Sequence, residues 1–261
     1  MKINLLLAAI LCAAVISVSS CSKKDNNNSS TQTATMTMHL TDAPANYDAV
    51  YVDIQQIGVT MTGKSEVMLT PNRPGTYNLL SFRNGLDTLL VNSTLPVGSV
   101  EQIRLVLGSN NSVVVSGVSY PLNTPSAQES GLKLNFHTDL AANVAYEIWI
   151  DFDAGKSILL TGSGSYKLKP VIRAYSAVTN GKIEGYILPA IALSTVYAIN
   201  GTDTATAIPN CTDGHFVIGG LTEGNYQLVV SPAVTTYVSF STNVSVTFGT
   251  ITNVGTITLH L

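Results

Sequence analysis

The short segment YEIWIDFD carries the side chains that could most readily do chemistry in this chain. Glu147, Trp149, Asp151 and Asp153 alternate with apolar residues, so a β-strand would place all four on one face. Carboxylates arranged in this way could bind Ca²⁺, and a tryptophan beside acids could stack on a sugar ring. They would form a candidate ligand or metal face.

The same residues also fit a purely structural face, in which the tryptophan packs between layers. The acids of this face would then pair with basic side chains, for which the candidates are Arg104, Lys156, Lys169 and Arg173. The acids lack the spacing of a D-x-D-x-D-G loop, although Asp42 or Asp53 could add oxygen ligands. We therefore favour the structural interpretation and predict no cofactor, with Ca²⁺ kept as the metal alternative.

No set of residues for catalysis is recognisable. The four histidines, His39, His137, His215 and His260, are isolated from one another, and no His-x-x-x-His pair is present to hold zinc. The sequence GSGSY is neither a nucleophile elbow nor a phosphate-binding loop, since it lacks Gly-Lys-Ser/Thr and leads into a strand. A non-enzymatic protein is predicted, and a hydrolase using Glu147, Asp151 and Asp153 is the weakest alternative.

Composition limits the classes of partner and of stabilisation. The net charge is −3, which argues against a nucleic-acid partner because such a partner needs a basic patch. Only 11 % of residues are charged, so Ser, Thr and Asn must supply most of the polar surface. Cys211 has no expected disulfide partner, so burial must stabilise the core.

After residue 33 the dominant pattern is alternation of apolar and polar residues, broken by Gly, Pro and Asn. Val50, Val52 and Ile54 share one face, and a slip at residues 55–56 predicts a β-bulge. Asn84-Gly85 lies between two apolar runs and predicts a hairpin. The spacing between predicted strands and turns changes near residues 177–182. The fold class is therefore all-β, with two consecutive β-sandwich domains.

The first residues have the features of an export signal. Met1-Lys2 precedes an apolar run over residues 3–18, which is too short for a membrane span. Val18-Ser19-Ser20-Cys21 resembles a bacterial lipobox, which implies cleavage after residue 20 and lipidation of Cys21. Residues 1–20 would be the lipoprotein signal peptide, and residues 21–33 the lipidated cysteine and a flexible linker. The partner implied is a membrane, reached through the lipid anchor.

The residues after Cys21 bear on localisation. Ser22 stands where an inner-membrane retention signal would have aspartate, and SKKDNNNSS resembles the export signals of Bacteroidota surface lipoproteins. The resemblance implies an outer-membrane lipoprotein exposed at the cell surface.

Several ordered segments resemble one family, the domain of unknown function 4382. They are LTDAPANYDAVYVDI from Leu40, LPVGSVEQIRLVLG from Leu95, SGLKL from Ser130, DFDAGKSI from Asp151 and GSGSYKLKPVIR from Gly162. The resemblance implies a β-domain over residues 34–178 and no agreed activity.

A second resemblance covers residues 181–261. GKIEGYI at its start and GHFVIGGLTEGNYQLVVSP in its middle are similar to carboxypeptidase-regulatory or transthyretin-like sandwiches. Such modules are mostly scaffolds and spacers, so the resemblance implies that this domain has a structural role and does not catalyse a reaction.

The LTDAP segment also has a structural explanation. Thr41 or Asp42 could accept backbone N–H groups two residues on, and Pro44 fixes a turn. A short helical turn over residues 45–48 would then fold Tyr47 onto the sheet. No ligand is needed to explain this motif.

Two Asp-Thr-apolar tripeptides resemble the O-glycosylation pattern of exported Bacteroidota proteins. They place candidate modified residues at Thr88 and Thr204. If modified, both side chains should lie at the surface.

Together these observations predict a cell-envelope lipoprotein with a binding, adhesion or assembly role. Its partner would be a glycan, a host-matrix protein or another envelope protein. The alternative is a structural periplasmic lipoprotein that faces inward.

Overall fold

The computed structural model describes residues 32–124, 130–176 and 180–261. They form two β-sandwiches with separate buried cores, so the all-β prediction is confirmed. The predicted signal peptide, Cys21 and most of the predicted linker lie outside the described residues.

The first sandwich combines a smaller and a larger sheet. The smaller sheet has the strand order β13-β10-β1-β5, and the larger has β11-β12-β8-β7-β2-β6-β9, with β3 and β4 also paired to β2. In chain order the elements are β1 (Thr33–Ala43), β2 (Ala49–Met61), β3 (Val67–Leu69), β4 (Gly75–Asn78), η1 (Leu79–Phe82), β5 (Thr88–Pro96), β6 (Gly98–Leu107), β7 (Ser112–Val115), β8 (Val118–Asn123), β9 (Leu132–Leu140), β10 (Ala145–Asp153), α1 (Ala154–Ser157), β11 (Ile158–Leu160), β12 (Tyr166–Leu168) and β13 (Ile172–Ser176).

The second sandwich is smaller. One sheet has the order β17-β14-β20 and the other has β16-β15-β18-β19. Its elements are β14 (Gly181–Leu188), η2 (Ala190–Ala192), β15 (Thr195–Asn200), β16 (Asp203–Ala207), β17 (His215–Leu221), β18 (Gly224–Ser231), β19 (Phe240–Val246) and β20 (Ile251–Thr258).

Alternation along the strands builds both cores. In β1, Met36, Met38 and Leu40 are fully buried, whereas the intervening residues face outward. Burying a large apolar side chain stabilises the fold by about 1.5–3 kcal/mol, so each alternating strand contributes several such increments. In the second sandwich, Phe216 and Leu228 come from opposite sheets and are likewise fully buried.

Two local predictions have clear outcomes. The pairing of β2 with β6 shifts register between Ile54 and Gln56, which confirms the predicted bulge. The predicted hairpin at Asn84-Gly85 is wrong. Both residues have positive φ, as a tight turn requires, but the run before them forms the 3₁₀ helix η1, with Leu79 and Leu80 buried. Burial of these leucines outweighs the local hairpin signal.

Helix is confined to short pieces in the described part of the chain. The helical turn predicted at residues 45–48 is not formed; those residues make a bend that leads into β2. No helix within residues 32–124, 130–176 and 180–261 has the length and apolar character to cross a membrane.

Candidate functional site: the groove between the two sandwiches

The acids of β10 lie on the outer face of the smaller sheet, as their alternation predicts. Ile148, Ile150 and Phe152 point into the core and are at most 1 % exposed. Glu147, Trp149, Asp151 and Asp153 therefore share the opposite face. The second sandwich contacts this face near Asp151, so the acids closest to it are withdrawn from water.

Two of these acids form ion pairs. Nε of Arg173 donates to Oδ2 of Asp151 at 2.7 Å, and a terminal nitrogen of the same guanidinium lies 2.7 Å from that oxygen. Nζ of Lys156 lies 2.9 Å from Oδ2 of Asp153. Glu147 is exposed. In the described ranges no three His, Cys, Asp or Glu side chains gather in a way that could hold a metal ion. Lys156 and Arg173 are two of the four basic partners predicted for these acids.

Arg173 also joins the two sandwiches. Beyond Asp151, it donates to the carbonyl oxygens of Gly219 at 2.9 Å and Gly220 at 3.3 Å, both in β17. The ring of Tyr175 packs against the same two glycines, and burial raises the pKa of its hydroxyl. A charged clamp and an aromatic ring therefore fix β17 against β13.

Trp149 lies in a ladder of rings across three neighbouring strands. Its indole stacks between His39 at 5.2 Å and Tyr175 at 6.0 Å, with interplanar angles of 16° and 13°. The carboxylate of Asp87 accepts from Nε1 of Trp149 at 3.0 Å and lies 2.9 Å from Nδ1 of His39. Nζ of Lys182 lies 5.4 Å from the centre of the indole. Neighbours on both sides favour a packing role over a sugar platform.

The LTDAP side chains find partners far along the chain instead of two residues on. The hydroxyl of Thr41 lies within hydrogen-bonding distance of the carbonyls of Phe82 and Leu86, at 2.9 and 3.0 Å. Oδ1 of Asp42 accepts the backbone N–H of Ala154 at 3.0 Å. The motif therefore ties β1 to the segment before β5 and to the end of β10.

Asp42 does not join the acids of β10 on their face. It alternates with Thr41, so its side chain points to the core side, where Oδ2 has no hydrogen-bond partner in the described structure. Burial, followed by the charges of Asp151 and Asp153, raises its pKa to about 9. Asp53 lies in the other sheet, where its carboxylate accepts from Gln55 and from the backbone of Asn110.

Pro44 and Tyr47 line a cavity of about 360 Å³ between the sandwiches. Its wall from the first sandwich is the LTDAP segment with α1, and its wall from the second is β15 with β16. Adjoining cavities of about 310 and 120 Å³ share lining residues with it. We call these adjoining cavities together the junction groove, and the main lining residues of the largest are Asn46, Tyr47, Asp153, Lys156, Thr195, Tyr197, Thr206 and Ile208.

The two candidate glycosylation residues have different surroundings. Thr204 is exposed in β16, beside the junction groove, and its carbonyl accepts from Nζ of Lys156 at 3.4 Å. Thr88 is half-buried at the start of β5, where it pairs with Leu40. Its neighbour Asp87 is engaged with Trp149.

Several residues of the site carried no recognisable sequence signal. Asn46 and Tyr197 line the groove from different sandwiches, and neither belongs to a motif with known chemistry. Asp87 appeared only as part of a tripeptide, and His39 as an isolated histidine. Only the alternation of β15 could have indicated that Tyr197 faces away from the second core.

A family profile described as "Domain of unknown function (DUF4382)" matches residues 33–170, more than half of the chain. The chain belongs to the DUF4382 family. The matched region contains the LTDAP segment and all the candidate acids of β10. The transthyretin-like resemblance of the second sandwich lies beyond the match and stays a prediction. Comparison with curated proteins found no match for this DUF4382 chain.

Similarity to solved structures is weak. The type II cohesin–X-dockerin complex from Acetivibrio cellulolyticus has 22 % identity and a TM-score of 0.25, covering 30 % of this chain and 56 % of that one. The minor pilin GBS52 of Streptococcus agalactiae has 14 % identity and a TM-score of 0.23, with 87 % and 95 % coverage. The shaft pilin SpaA of Lactobacillus rhamnosus GG has 11 % identity and a TM-score of 0.24, with 87 % and 97 % coverage.

The chain spans only part of the first structures in this comparison. It covers 56 % of the cohesin–dockerin chain, 34 % of the Bacillus anthracis TIE protein and 26 % of a leucine-rich repeat protein from Bacteroides thetaiotaomicron. At TM-scores this low, no functional argument rests on these proteins.

Proposed function

We propose that this DUF4382 protein is a non-enzymatic lipoprotein of the cell envelope that binds a neutral glycan in the junction groove. The observation that carries the proposal is a groove between two sandwiches with a tyrosine from each, Tyr47 and Tyr197. Binding sites are commonly concave and commonly lie between domains, and cavities above about 300 Å³ accommodate small ligands.

The charges in the groove favour a neutral ligand. Asp153 is paired with Lys156, and Asp151 with Arg173, so a charged ligand would have to displace an existing partner. Breaking such a pair leaves a partly buried charge without compensation, which is unfavourable. A ligand without formal charge avoids that loss.

The uncharged groups in the groove match the surface of a sugar. A pyranose ring presents C–H groups on its faces and hydroxyls around its edge. Tyr47 and Tyr197 offer aromatic surface, while Asn46, Thr195 and Thr206 offer donors and acceptors. The groove thus has both kinds of contact that a glycan needs.

The ion pairs also weigh against the hydrolase alternative. General acid–base catalysis needs a carboxyl group positioned at the reacting bond, with a pKa suited to proton transfer. Asp151 and Asp153 instead hold structural contacts with Arg173 and Lys156. This supports binding over catalysis.

Binding of the purified full chain to a glycan array, followed by calorimetry on each hit, tests this function. Tyr197→Ala should weaken binding at least about tenfold, equivalent to about 1.4 kcal/mol. Tyr186→Ala is the matched control, because Tyr186 is 40 % exposed on the second sandwich but does not line the groove. No binding to any glycan, or equal binding by both variants, would contradict the proposal.

The cellular setting is part of the same proposal. The lipobox-like residues support lipidation of Cys21, and the polar residues after it support display on the outside of the outer membrane. An inward-facing periplasmic structural role is the alternative. Protease treatment of intact cells separates the two locations.

A further inference from the structure

The side of the second sandwich that lies away from the first presents two sheet edges, β19 and β20. The opposite edges face the first sandwich, where Nζ of Lys156 donates to the carbonyl of Thr204 in β16 and Arg173 donates to a carbonyl in β17. Strand edges carry unpaired N–H and C=O groups that can pair with another strand. An open edge must therefore be protected against pairing with other chains or be used to bind another strand.

Five other sheet edges in the described part of the chain carry a recognised protection. β9 contains charges, β5 has a register shift and a proline, β13 contains an arginine, β11 is three residues long, and β20 has a register shift near a glycine with positive φ. Charges, prolines, bulges and shortness all discourage edge pairing. β19 has none of these, since its seven residues are uncharged and pair with β18 in unbroken register.

The sequence of β19 is self-complementary when two copies run antiparallel about Asn243. Ser241 would then face Ser245, and Thr242 would face Val244. At the ends, Phe240 would face Val246. Polar residues pair with polar residues on the outer face, and apolar or β-branched residues pair on the inner face, as cross-strand stability requires.

The backbone of β19 is oriented for this register. The carbonyl of Ser245 points away from β18, where it accepts the hydroxyl of Thr252 from β20 at 3.0 Å and keeps a second lone pair for another donor. In a β-strand the N–H and C=O groups of every second residue point to the same side. The backbone N–H and C=O groups of Ser241 and Asn243 therefore also point away from β18. Two Asn243 residues would therefore form a hydrogen-bonded pair on a two-fold axis.

Charge also permits an identical partner. A two-fold contact brings residues at the axis close to their own copies, so a charged residue there would be repelled. No Asp, Glu, Lys or Arg occurs between Gly224 and Leu261. Beside β19, Phe240 is 37 % exposed and a cavity of about 350 Å³ separates it from β20. An added strand would cover the exposed part of Phe240.

We propose that β19 is a self-association edge through which two copies of this chain form a two-fold dimer, joining their four-stranded sheets into one. The contact is distinct from the junction groove, so it does not depend on glycan binding. The occupant is a second copy of the chain, and the register is centred on Asn243.

Disulfide trapping tests the register in the full, detergent-solubilised chain with Cys211→Ser as background. The hydrogen-bonded pair would hold the two Cα atoms about 5.5 Å apart, within the range of a disulfide. Under mild oxidation, Asn243→Cys should therefore crosslink to itself. Gln227→Cys is the control, because Gln227 is exposed beside Asn243 but one strand further in. Equal crosslinking of the two variants would overturn the proposed register.

The protein mass from light scattering tests the dimer itself. The wild type should be dimeric, Asn243→Lys should be monomeric because two lysines would meet at the axis, and Gln227→Lys should remain dimeric. Circular dichroism of each variant establishes that it is folded. A monomeric wild type, or a folded Asn243→Lys that remains dimeric, would overturn the proposal.

Discussion

At the residue scale, Asp42 shows how burial changes one titratable group. Its carboxyl group has a single hydrogen-bond partner, the N–H of Ala154, and it is 5 % exposed. Burial is the largest cause that raises its pKa to about 9, and the hydrogen bond from Ala154 and the charge of Arg83 only partly oppose this shift. The group is therefore protonated in the folded protein at neutral pH and ionised in the unfolded chain.

The folded state consequently binds more protons than the unfolded state between about pH 4 and pH 9. The free energy of unfolding should therefore fall as pH rises through this window. Asp42→Asn keeps an oxygen acceptor for Ala154 but cannot ionise. We expect it to be more stable than the wild type by about 1–3 kcal/mol at pH 8, with a smaller gain at pH 5.

Urea unfolding at several pH values measures this difference. Asp203→Asn is the control, because Asp203 is an exposed carboxylate on the second sandwich. If the stability of Asp42→Asn changed with pH as steeply as that of the wild type, Asp42 would not be the group responsible.

At the element scale, contact between β13 and β17 positions the two sandwiches. Gly220 has φ +68°, and a Cβ added there would lie 2.6 Å from a ring atom of Tyr175. The absence of a side chain at this position allows the tyrosine to approach the backbone closely. β16 belongs to the second sandwich, as β17 does. The position of the groove wall that β16 forms therefore depends on the contact between Tyr175 and Gly220.

Gly220→Ala should therefore destabilise the protein by about 2–4 kcal/mol, through backbone strain and the clash with Tyr175. Gly201→Ala separates the two causes. Gly201 has φ +60° but no atom within 4 Å of an added Cβ, so its substitution should lose only about 1 kcal/mol. Chemical denaturation compares the two, and equal losses would show that the Tyr175 contact contributes nothing.

The elements themselves were largely predictable, because alternation is a local property. The shared face of Glu147, Trp149, Asp151 and Asp153 and the bulge in β2 both follow from it. The Asn84-Gly85 hairpin was wrong because the run before it is buried as η1 and the turn is held by the hydroxyl of Thr41, more than forty residues earlier. The Asn-Gly pair correctly indicated a turn, but it could not indicate that this turn contacts β1.

At the scale of the whole molecule, the proposed anchor determines which surfaces can meet a ligand. With Cys21 in the outer leaflet, the sandwiches and the junction groove would face the surroundings of the cell. Two or more acyl chains would hold the protein stably, whereas one chain would bind only marginally.

Protease treatment of intact cells should therefore remove the protein, as seen by blotting for each sandwich. Cys21→Ser should release the chain from the membrane fraction, because it removes the lipid attachment. A periplasmic soluble protein must stay intact during the same treatment as a control for leakage. Protection of this chain until lysis would favour the inward-facing periplasmic role.

The sequence by itself determined the all-β class, the faces of the strands and the family, because these depend on local periodicity and on ordered motifs. Tertiary structure decided the rest. The partner of Asp42 is 112 residues away, and the junction groove joins Tyr47 to Tyr197 from separate sandwiches. It also decided that β16 lies beside the first sandwich, whereas β19 is the last strand at the other edge of the same sheet. No local pattern encodes such contacts, since they arise only when distant strands pack together.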